Sequence, residues 1–342
     1  MKVTLYEIAQ KAGVSISTVS RVLNNDKSKP ASKATAEKVM QIAYETGYLT
    51  PPQPVSAPAP SHSVLCLLSN TAFDYSDYFY SQVLLGIKEE AKYYDLKLTQ
   101  QLFSAELDSD NLYQSLKANL YDGIILLGCF EKSKVEFIQS CTPNVVYAGL
   151  NYIDSQLDQV ICDSYQAVNT MMDYLIDCGH KRISFFGIIK DNTASQINEH
   201  RFSAYRDALT RHGLPLEQKL CKNIELKSEC AYNATLELIQ EHNLPDAILC
   251  STDSCAIGVI SALRLHHIRV PEDISVVGHD DIDLSEFMDP KLTTVYMQKY
   301  ELGKFAVKLL QDRMQNRHQI PVMIRLPYHL EIRSSCLNHR KP

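Results

Sequence analysis

Between residues 51 and 60 the chain reads Pro51-Pro52-Gln53-Pro54-Val55-Ser56-Ala57-Pro58-Ala59-Pro60, five of its 14 prolines within ten positions. Proline has no amide hydrogen to donate and pushes the preceding residue out of the helical region, so no regular helix runs through this stretch. It predicts an extended linker between a short N-terminal part and a long C-terminal one. The two parts differ in charge. Residues 1–50 hold seven Lys/Arg against four Asp/Glu, a balance of +3, while the rest carries 27 against 36, a balance of −9, for a net charge of −6. A small basic module tethered to a large acidic body suits a domain that meets an anionic polymer.

Before the linker the apolar residues recur at helical intervals. Thr4-x-x-Glu7 is a capping box that opens a short helix with Ile8, Ala9 and Ala12 inward and Gly13 at its end. Ser15 caps a second helix with Val19, Val22 and Leu23 on its apolar face. Ser32 caps a third, with Val39, Ile42 and Ala43 inward and Gly47 at its end. Three short helices with a glycine-containing turn between the first two predict an all-α helix-turn-helix headpiece.

After the linker, strand-like runs alternate with amphipathic segments of helix length. Val64–Ser69, Leu96–Leu102, Gly123–Gly128, Val145–Ala148, Gln159–Cys162, Ile183–Phe186, Ala247–Cys250 and Ile274–Val277 read as strands. Val83, Leu84, Ile87 and Ala91, and then Leu112, Leu116 and Leu120, fall at helical spacing between them. This alternation predicts parallel sheets covered by helices on both faces, an α/β core. One sheet is too few for its length, and the series divides near Asp163 into two doubly wound halves. At 342 residues and 45% hydrophobic composition, two or three domains are expected.

No apolar run is long enough to span a membrane, and Met1-Lys2-Val3-Thr4 starts no apolar signal core, so a cytoplasmic protein without membrane contact is expected. The ten cysteines contain no C-x-x-C pair and read as small core hydrophobes. No G-x-S-x-G, P-loop, G-x-G-x-x-G or H-E-x-x-H motif occurs, so neither enzyme nor cofactor is expected. His266-His267 and His279-Asp280-Asp281 lack a third cluster, and no metal is expected. Asn233-Ala234-Thr235 is a glycosylation sequon in form only.

The second helix, Ser15-Ile16-Ser17-Thr18-Val19-Ser20-Arg21-Val22-Leu23-Asn24, carries short hydroxyls and one arginine opposite its apolar face. Short hydroxyls permit close approach to a polyanion, and the helix N-terminus adds partial positive charge. Ile16 and Ser17, near its start, would face base edges, and Arg21 would meet a guanine edge or a phosphate. A helical module that binds protein is the competing reading.

The run Leu5-Tyr6-Glu7-Ile8-Ala9-x-x-Ala12-Gly13-Val14-Ser15-x-x-Thr18-Val19-Ser20-Arg21-Val22-Leu23-Asn24 resembles the signature of the lactose/galactose repressor family. The resemblance continues through Gly179-His180-Lys181-Arg182-Ile183, Thr252-Asp253-x-x-Ala256-Ile257-Gly258, Val270-Pro271-Glu272-Asp273-Ile274-Ser275-Val276-Val277-Gly278-His279-Asp280-Asp281 and Leu292-Thr293-Thr294-Val295. It implies a repressor that binds a palindromic double-stranded operator as a homodimer, and a core of two periplasmic-binding-protein-like subdomains that holds a small effector, a sugar. It also implies that Ile16, Ser17 and Arg21 read bases, while Leu5, Tyr6, Ser15, Thr18, Ser20, Asn24 and Ser32 hold the DNA backbone.

Ligands of open α/β sheets sit past the carboxyl ends of the strands, which points to Asn70, Gly187, Asp253 and Asp280-Asp281 without reference to any family. The resemblance adds Arg201 as the cleft arginine, Asp280 as the cleft acid, Tyr78 and Phe79 as the aromatic pair after the first strand, Asp163 at the crossover, and Thr252. An arginine fork facing a carboxylate, with an aromatic ring alongside, suits a neutral ligand rich in hydroxyls. Structural roles compete here: Asp253 would cap the helix after its strand, and Asp280-Asp281 would order a turn.

The chain also departs from the family. The prolines forbid the usual hinge helix, Ala148-Gly149 stands where sugar-binding relatives often have Asp, and Thr252 replaces the Asn of some galactoside binders. The expected organisation is a headpiece over 1–48, a Pro-rich linker over 49–62, and a core over 63–335 followed by a tail over 336–342. Within the core the N-subdomain takes 63–162 plus 296–324 and the C-subdomain 163–295 plus 325–335. A sugar-binding receptor without a DNA role is the competing function.

Overall fold

The computed structural model describes residues 4–23, 31–46, 48, 62–69, 78–103, 114, 116, 121–128, 130, 132–189 and 199–339, in two units that divide between Ser61 and His62. In the first unit, local hydrogen bonds set the helix limits. Helix α1 (Leu5–Ala12) opens on the expected box: the Thr4 hydroxyl accepts from the Glu7 amide at 3.4 Å, and the Glu7 carboxylate accepts from the Thr4 amide at 2.9 Å. Gly13 ends it at φ 71°, a left-handed conformation costly for any residue with a Cβ. The hydroxyls of Ser15 and Ser32 each accept an amide three residues on at 3.2 Å, starting α2 (Ile16–Leu23) and α3 (Lys33–Glu45). Ile8, Ala9, Ala12, Val19, Val39 and Ala43 form the small shared core. Asn24, Gly47 and the linker residues 49–61 lie outside the described residues.

The second unit runs β1 (Ser63–Ser69), α4 (Tyr78–Tyr93), β2 (Lys97–Phe103), β3 (Gly123–Leu127), α5 (Lys132–Cys141), β4 (Val145–Gly149), β5 (Asp158–Ile161), α6 (Ser164–Asp177), β6 (Ile183–Gly187), α7 (Arg201–Arg211), β7 (Cys221–Asn223) and α8 (Ser228–Gln240). It continues with β8 (Ala247–Cys250), α9 (Asp253–Leu265), β9 (Ser275–Val277), α10 (Leu284–Phe287), β10 (Thr294–Tyr296), α11 (Lys299–Met314), β11 (Met323–Arg325) and β12 (His329–Glu331). Each of the eight strands read from the sequence is present with ends within one residue. The three-residue strands β7, β10, β11 and β12 were not read, because a run so short carries no period. The helix expected through Leu112, Leu116 and Leu120 lies mostly outside the described residues; Leu116 itself is helical and buried.

The strands form two parallel sheets, ordered β11-β5-β4-β3-β1-β2 and β7-β6-β8-β9, and an antiparallel pair β10-β12. This is the doubly wound α/β arrangement expected. Strands β3, β4, β5, β6, β8 and β9 are buried along their whole length, as parallel strands covered on both faces must be. The chain leaves the first sheet after β5, builds β6 to β9, and returns through β10 so that α11 packs on α4 and under β3, β4 and β5. There β11 pairs with β5.

Helices α4 and α11 touch backbone to backbone. A side chain at Gly86 would overlap the Tyr300 carbonyl, and one at Gly303 the Val83 carbonyl. That close crossing brings the first residue of α4, Tyr78, beside the first residue of α11, Lys299, whose ammonium lies 5.9 Å from the Tyr78 ring centre.

Candidate functional site

On α2 the apolar and polar faces separate as the sequence implied. Val19 is fully buried, whereas Ile16 is 46% exposed and Ser15 and Ser17 are exposed. The Arg21 guanidinium folds along the helix, donating through Nε to the Ser17 carbonyl at 3.1 Å and through a terminal nitrogen to the Thr18 hydroxyl at 3.4 Å. Tyr6 on α1 is 63% exposed, and Ser32 is exposed at the start of α3. Leu5 packs partly into the headpiece core, and Thr18 and Ser20 are half-buried.

In the second unit, five side chains gather at the carboxyl ends of β8 and β9 and the starts of α7 and α11. Arg201 opens α7 and is 3% exposed. Its Nε donates to Glu199 Oε1 at 2.8 Å, one terminal nitrogen to Glu199 Oε2, and the other to the Ser251 carbonyl at 2.8 Å. Burial works against the charges of both Arg201 and Glu199. Each nevertheless stabilises the other, so the guanidinium pKa rises above its usual value and the Glu199 carboxyl lies below its own.

Asp280 follows β9 with its backbone at φ 112°, outside the comfortable range of a residue with a Cβ. Three contacts hold it there: its amide donates to the Val295 carbonyl at 3.0 Å, its carboxylate pairs with His279 Nδ1 at 2.8 Å, and Lys299 Nζ donates to its carbonyl. Lys299 Nζ also donates to the Asp281 carbonyl at 3.0 Å and lies 5.0 Å from the Tyr296 ring centre. Burial raises the Asp280 carboxyl to about 7, against the pull of Arg201 and Lys299. Burial, and then Arg201, push His279 down to about 3, so its ring is neutral. His279 Nε2 is buried and has no hydrogen-bond partner among the described residues.

Beside this cluster opens a cavity of about 220 Å3, lined in part by Tyr78, Gln82, Asp283, Tyr296, Lys299 and Arg333. Burial and a hydrogen bond to Asp283 raise the Tyr78 hydroxyl to about 12.

Of the residues expected in the cleft, Arg201 and Asp280 lie in one cluster, and Tyr78 reaches it through Lys299. The others have different work. Phe79 is 2% exposed in the core, edge-on to Tyr80, and it is the Tyr80 hydroxyl that lies within electrostatic reach of Arg201. Thr252, not Asp253, caps α9: its hydroxyl accepts from the Cys255 amide at 3.2 Å. Asp253 is fully buried and accepts from the Ile282 amide at 2.9 Å, the Ser285 hydroxyl at 2.7 Å and the Thr294 hydroxyl at 2.5 Å. It ties α9 to the turn after Asp280, and burial raises it to about 7.

Asp163 caps α6 through the Gln166 amide at 3.1 Å and pairs with Arg325 of β11 at 3.0 Å. Asp281 pairs with Arg333 at 2.7 Å. Asn70 lies outside the described residues. Glu199, His279 and Lys299 went unrecognised as site residues. Glu199 and His279 had a visible signal, an acid two residues before the expected cleft arginine and a histidine next to the expected cleft acid, whereas Lys299 had none. Among the described residues no group of three or more His, Cys, Asp or Glu is arranged to hold a metal, and no helix is long and apolar enough to cross a membrane.

Residues 4–51 match the family model described as bacterial regulatory proteins, lacI family, and residues 172–336 match a periplasmic binding protein-like domain. The chain is 32% identical to the HTH-type transcriptional repressor CytR of Escherichia coli (strain K12), over 92% of this chain and 91% of that one. It is 30% identical to catabolite control protein A of Priestia megaterium, over 98% and 99%. Among solved structures, the transcriptional regulator CelR in complex with cellobiose is similar, with a TM-score of 0.71, 26% identity and coverage of 97% of this chain and 99% of that one.

Proposed function

The chain belongs to the LacI family of bacterial regulatory proteins and is a DNA-binding transcriptional repressor with a small-molecule effector, not an enzyme; from that premise we propose that the polar face of α2 reads the operator and that the cluster around Arg201 and Asp280 holds the effector. The observation that carries this reading is α2 itself, a capped helix whose buried Val19 fastens it to the headpiece while Ile16 and Ser17 stay outside. Ile16, Ser17 and Arg21 contact bases. Leu5, Tyr6, Ser15, Thr18, Ser20, Asn24 and Ser32 position the phosphate backbone. The headpiece at 4–51 sets aside a receptor without a DNA role.

The protein works in the cytoplasm as a homodimer on an inverted repeat, with recognition helices about 34–36 Å apart in successive major grooves. Residues 1–48 act as headpiece, 49–62 as linker, 63–162 with 296–324 as the N-subdomain and 163–295 with 325–335 as the C-subdomain, with 336–342 a tail. The effector is a neutral, hydroxyl-rich molecule such as a sugar. It accepts from Arg201, donates to Asp280 and lies against Tyr78, with Phe79, Asp163, Thr252 and Asp253 supporting the frame. Because Lys299 of α11 grips the carbonyls of Asp280 and Asp281, an effector that displaces it alters how the two sheets are tied together. Operator affinity then changes by the coupling energy, typically about 1 to 3 kcal/mol, and the operator alters effector affinity by the same factor.

Mobility shift on the DNA upstream of the protein's own gene, across a salt series, tests the DNA half. Specific binding whose logarithm falls linearly with the logarithm of salt concentration is expected. Absence of binding at micromolar protein and low salt overturns it. Thermal-shift screening of sugars tests the effector half, since a ligand at 100 times its Kd stabilises by about 2.7 kcal/mol.

A further inference from the structure

Where proteins bind phosphate, an arginine fork commonly meets two of its oxygens side by side. Here the Arg201 fork already meets two oxygens, and both belong to the protein's own Glu199. We infer that Glu199 is a specificity-determining residue of the cleft: by neutralising Arg201 it selects an uncharged effector and rejects the phosphorylated form of the same molecule. The inference rests on the reading above, in which the effector lies against Arg201 and Asp280.

Four observations support it. First, the pair is out of water, with side chains 3% and 6% exposed, so Glu199 cannot swing into solvent at little cost when an anion arrives. Displacing it from Arg201 leaves a buried carboxylate without its partner, which is strongly unfavourable. Second, a guanidinium has five N–H donors. Glu199 takes two and the Ser251 carbonyl one, so by count two remain, one on each terminal nitrogen. Arg201 therefore keeps donors for a hydroxyl or carbonyl oxygen but no uncompensated charge.

Third, the other charges nearby do not make up the deficit. Lys299 directs two donors at the carbonyls of Asp280 and Asp281, and the ionised Asp280 carboxylate both offsets the Lys299 charge and repels an anion. Fourth, His279 Nε2, buried without a partner among the described residues, belongs to a ring whose other nitrogen pairs with Asp280. It offers a neutral hydrogen bond beside Arg201 and Glu199. The cluster thus combines unspent hydrogen-bonding capacity with no unspent positive charge.

Calorimetric titration of the full-length chain with matched probes tests this: free hexoses and nucleosides, each against its hexose 6-phosphate or nucleoside 5′-monophosphate. In the unaltered protein a neutral probe is expected to bind at least tenfold more tightly than its phosphate ester. Glu199→Gln should shrink or invert that ratio by at least tenfold, chiefly by strengthening the ester. Glu199→Asp, which keeps the charge one methylene further back, should preserve the discrimination and so separate charge from a merely structural role.

Overturning results are an ester that binds the unaltered protein as tightly as its parent, a ratio unmoved by Glu199→Gln, or Glu199→Asp behaving like Glu199→Gln. No response to any neutral probe at millimolar concentration also counts against it. If a neutral probe binds and Asp280→Asn and Arg201→Lys leave its affinity unchanged, the ligand sits elsewhere, and it is the cleft assignment that fails.

Discussion

Ile16 on α2 is 46% exposed and Arg201 in the cleft is 3% exposed. Around Ile16 the polar side chains find partners within four residues along the chain: Ser15 with the hydroxyls of Ser17 and Thr18, Arg21 with the Ser17 carbonyl and the Thr18 hydroxyl. Around Arg201 the partners come from four separate segments, at Glu199, Ser251, His279-Asp280 and Lys299. The surface proposed to face DNA is thus a local structure exposed to solvent, where exchanging a partner costs little. The surface proposed to face the effector is a charge network screened from solvent, where removing any member leaves another unpaired.

If that contrast is right, the two regions respond differently to mutation. The largest effect is expected from Arg201→Ala, which strands the buried Glu199 carboxylate and should lower the stability of the second unit by about 3 to 5 kcal/mol in urea unfolding. The double variant Glu199→Gln with Arg201→Met should recover most of this, and a single-variant loss below about 1 kcal/mol would erase the contrast. Arg21→Ala, in the exposed region, should leave unfolding unchanged but weaken operator binding by about 1 to 3 kcal/mol, with the loss concentrated at one base-pair position. An equal loss on all DNA sequences would show that Arg21 holds phosphate only.

Smaller in total, but specific to the cleft, is a pH effect. Asp280 is raised to about 7, and the groups facing it are His279, Arg201, Glu199, Lys299 and the equally raised Asp253. In the proposed site an effector hydroxyl donates to the ionised carboxylate, so effector affinity should rise with pH and level off above about 7. Below 7 it should fall by up to about tenfold per pH unit, because the carboxyl must first release its proton. Asp280→Asn should flatten this profile in titrations between pH 5.5 and 8, while operator binding without effector shows no matching step. The smallest effect is expected from Ser15→Ala, which removes the cap of α2 and should cost the headpiece about 1 kcal/mol in thermal unfolding.

The same contrast explains what was readable beforehand. Thr4-Glu7, Gly13, Ser15 and Ser32 act on residues three or four positions away, so their capping roles follow from spacing alone. The strands announced themselves as apolar runs. Asp253 and Thr252 show the limit: either residue type caps a helix, and the choice was made by Ser285, Thr294 and the Ile282 amide, whose approach claims the Asp253 carboxylate. Phe79 likewise turned inward with the rotation of α4, leaving Tyr78 and Tyr80 as the rings of that helix nearest the site.

Read as a string of residues, this protein already specified a capped three-helix headpiece and a doubly wound core, because caps and apolar periodicity act over a few residues. Only the folded chain decided that Arg201 is neutralised by Glu199, that Asp280 is held in a strained turn by Lys299, and that His279 stays neutral. Burial and pairing across distant segments set those charges, and neither has a period or a spacing that a sequence displays.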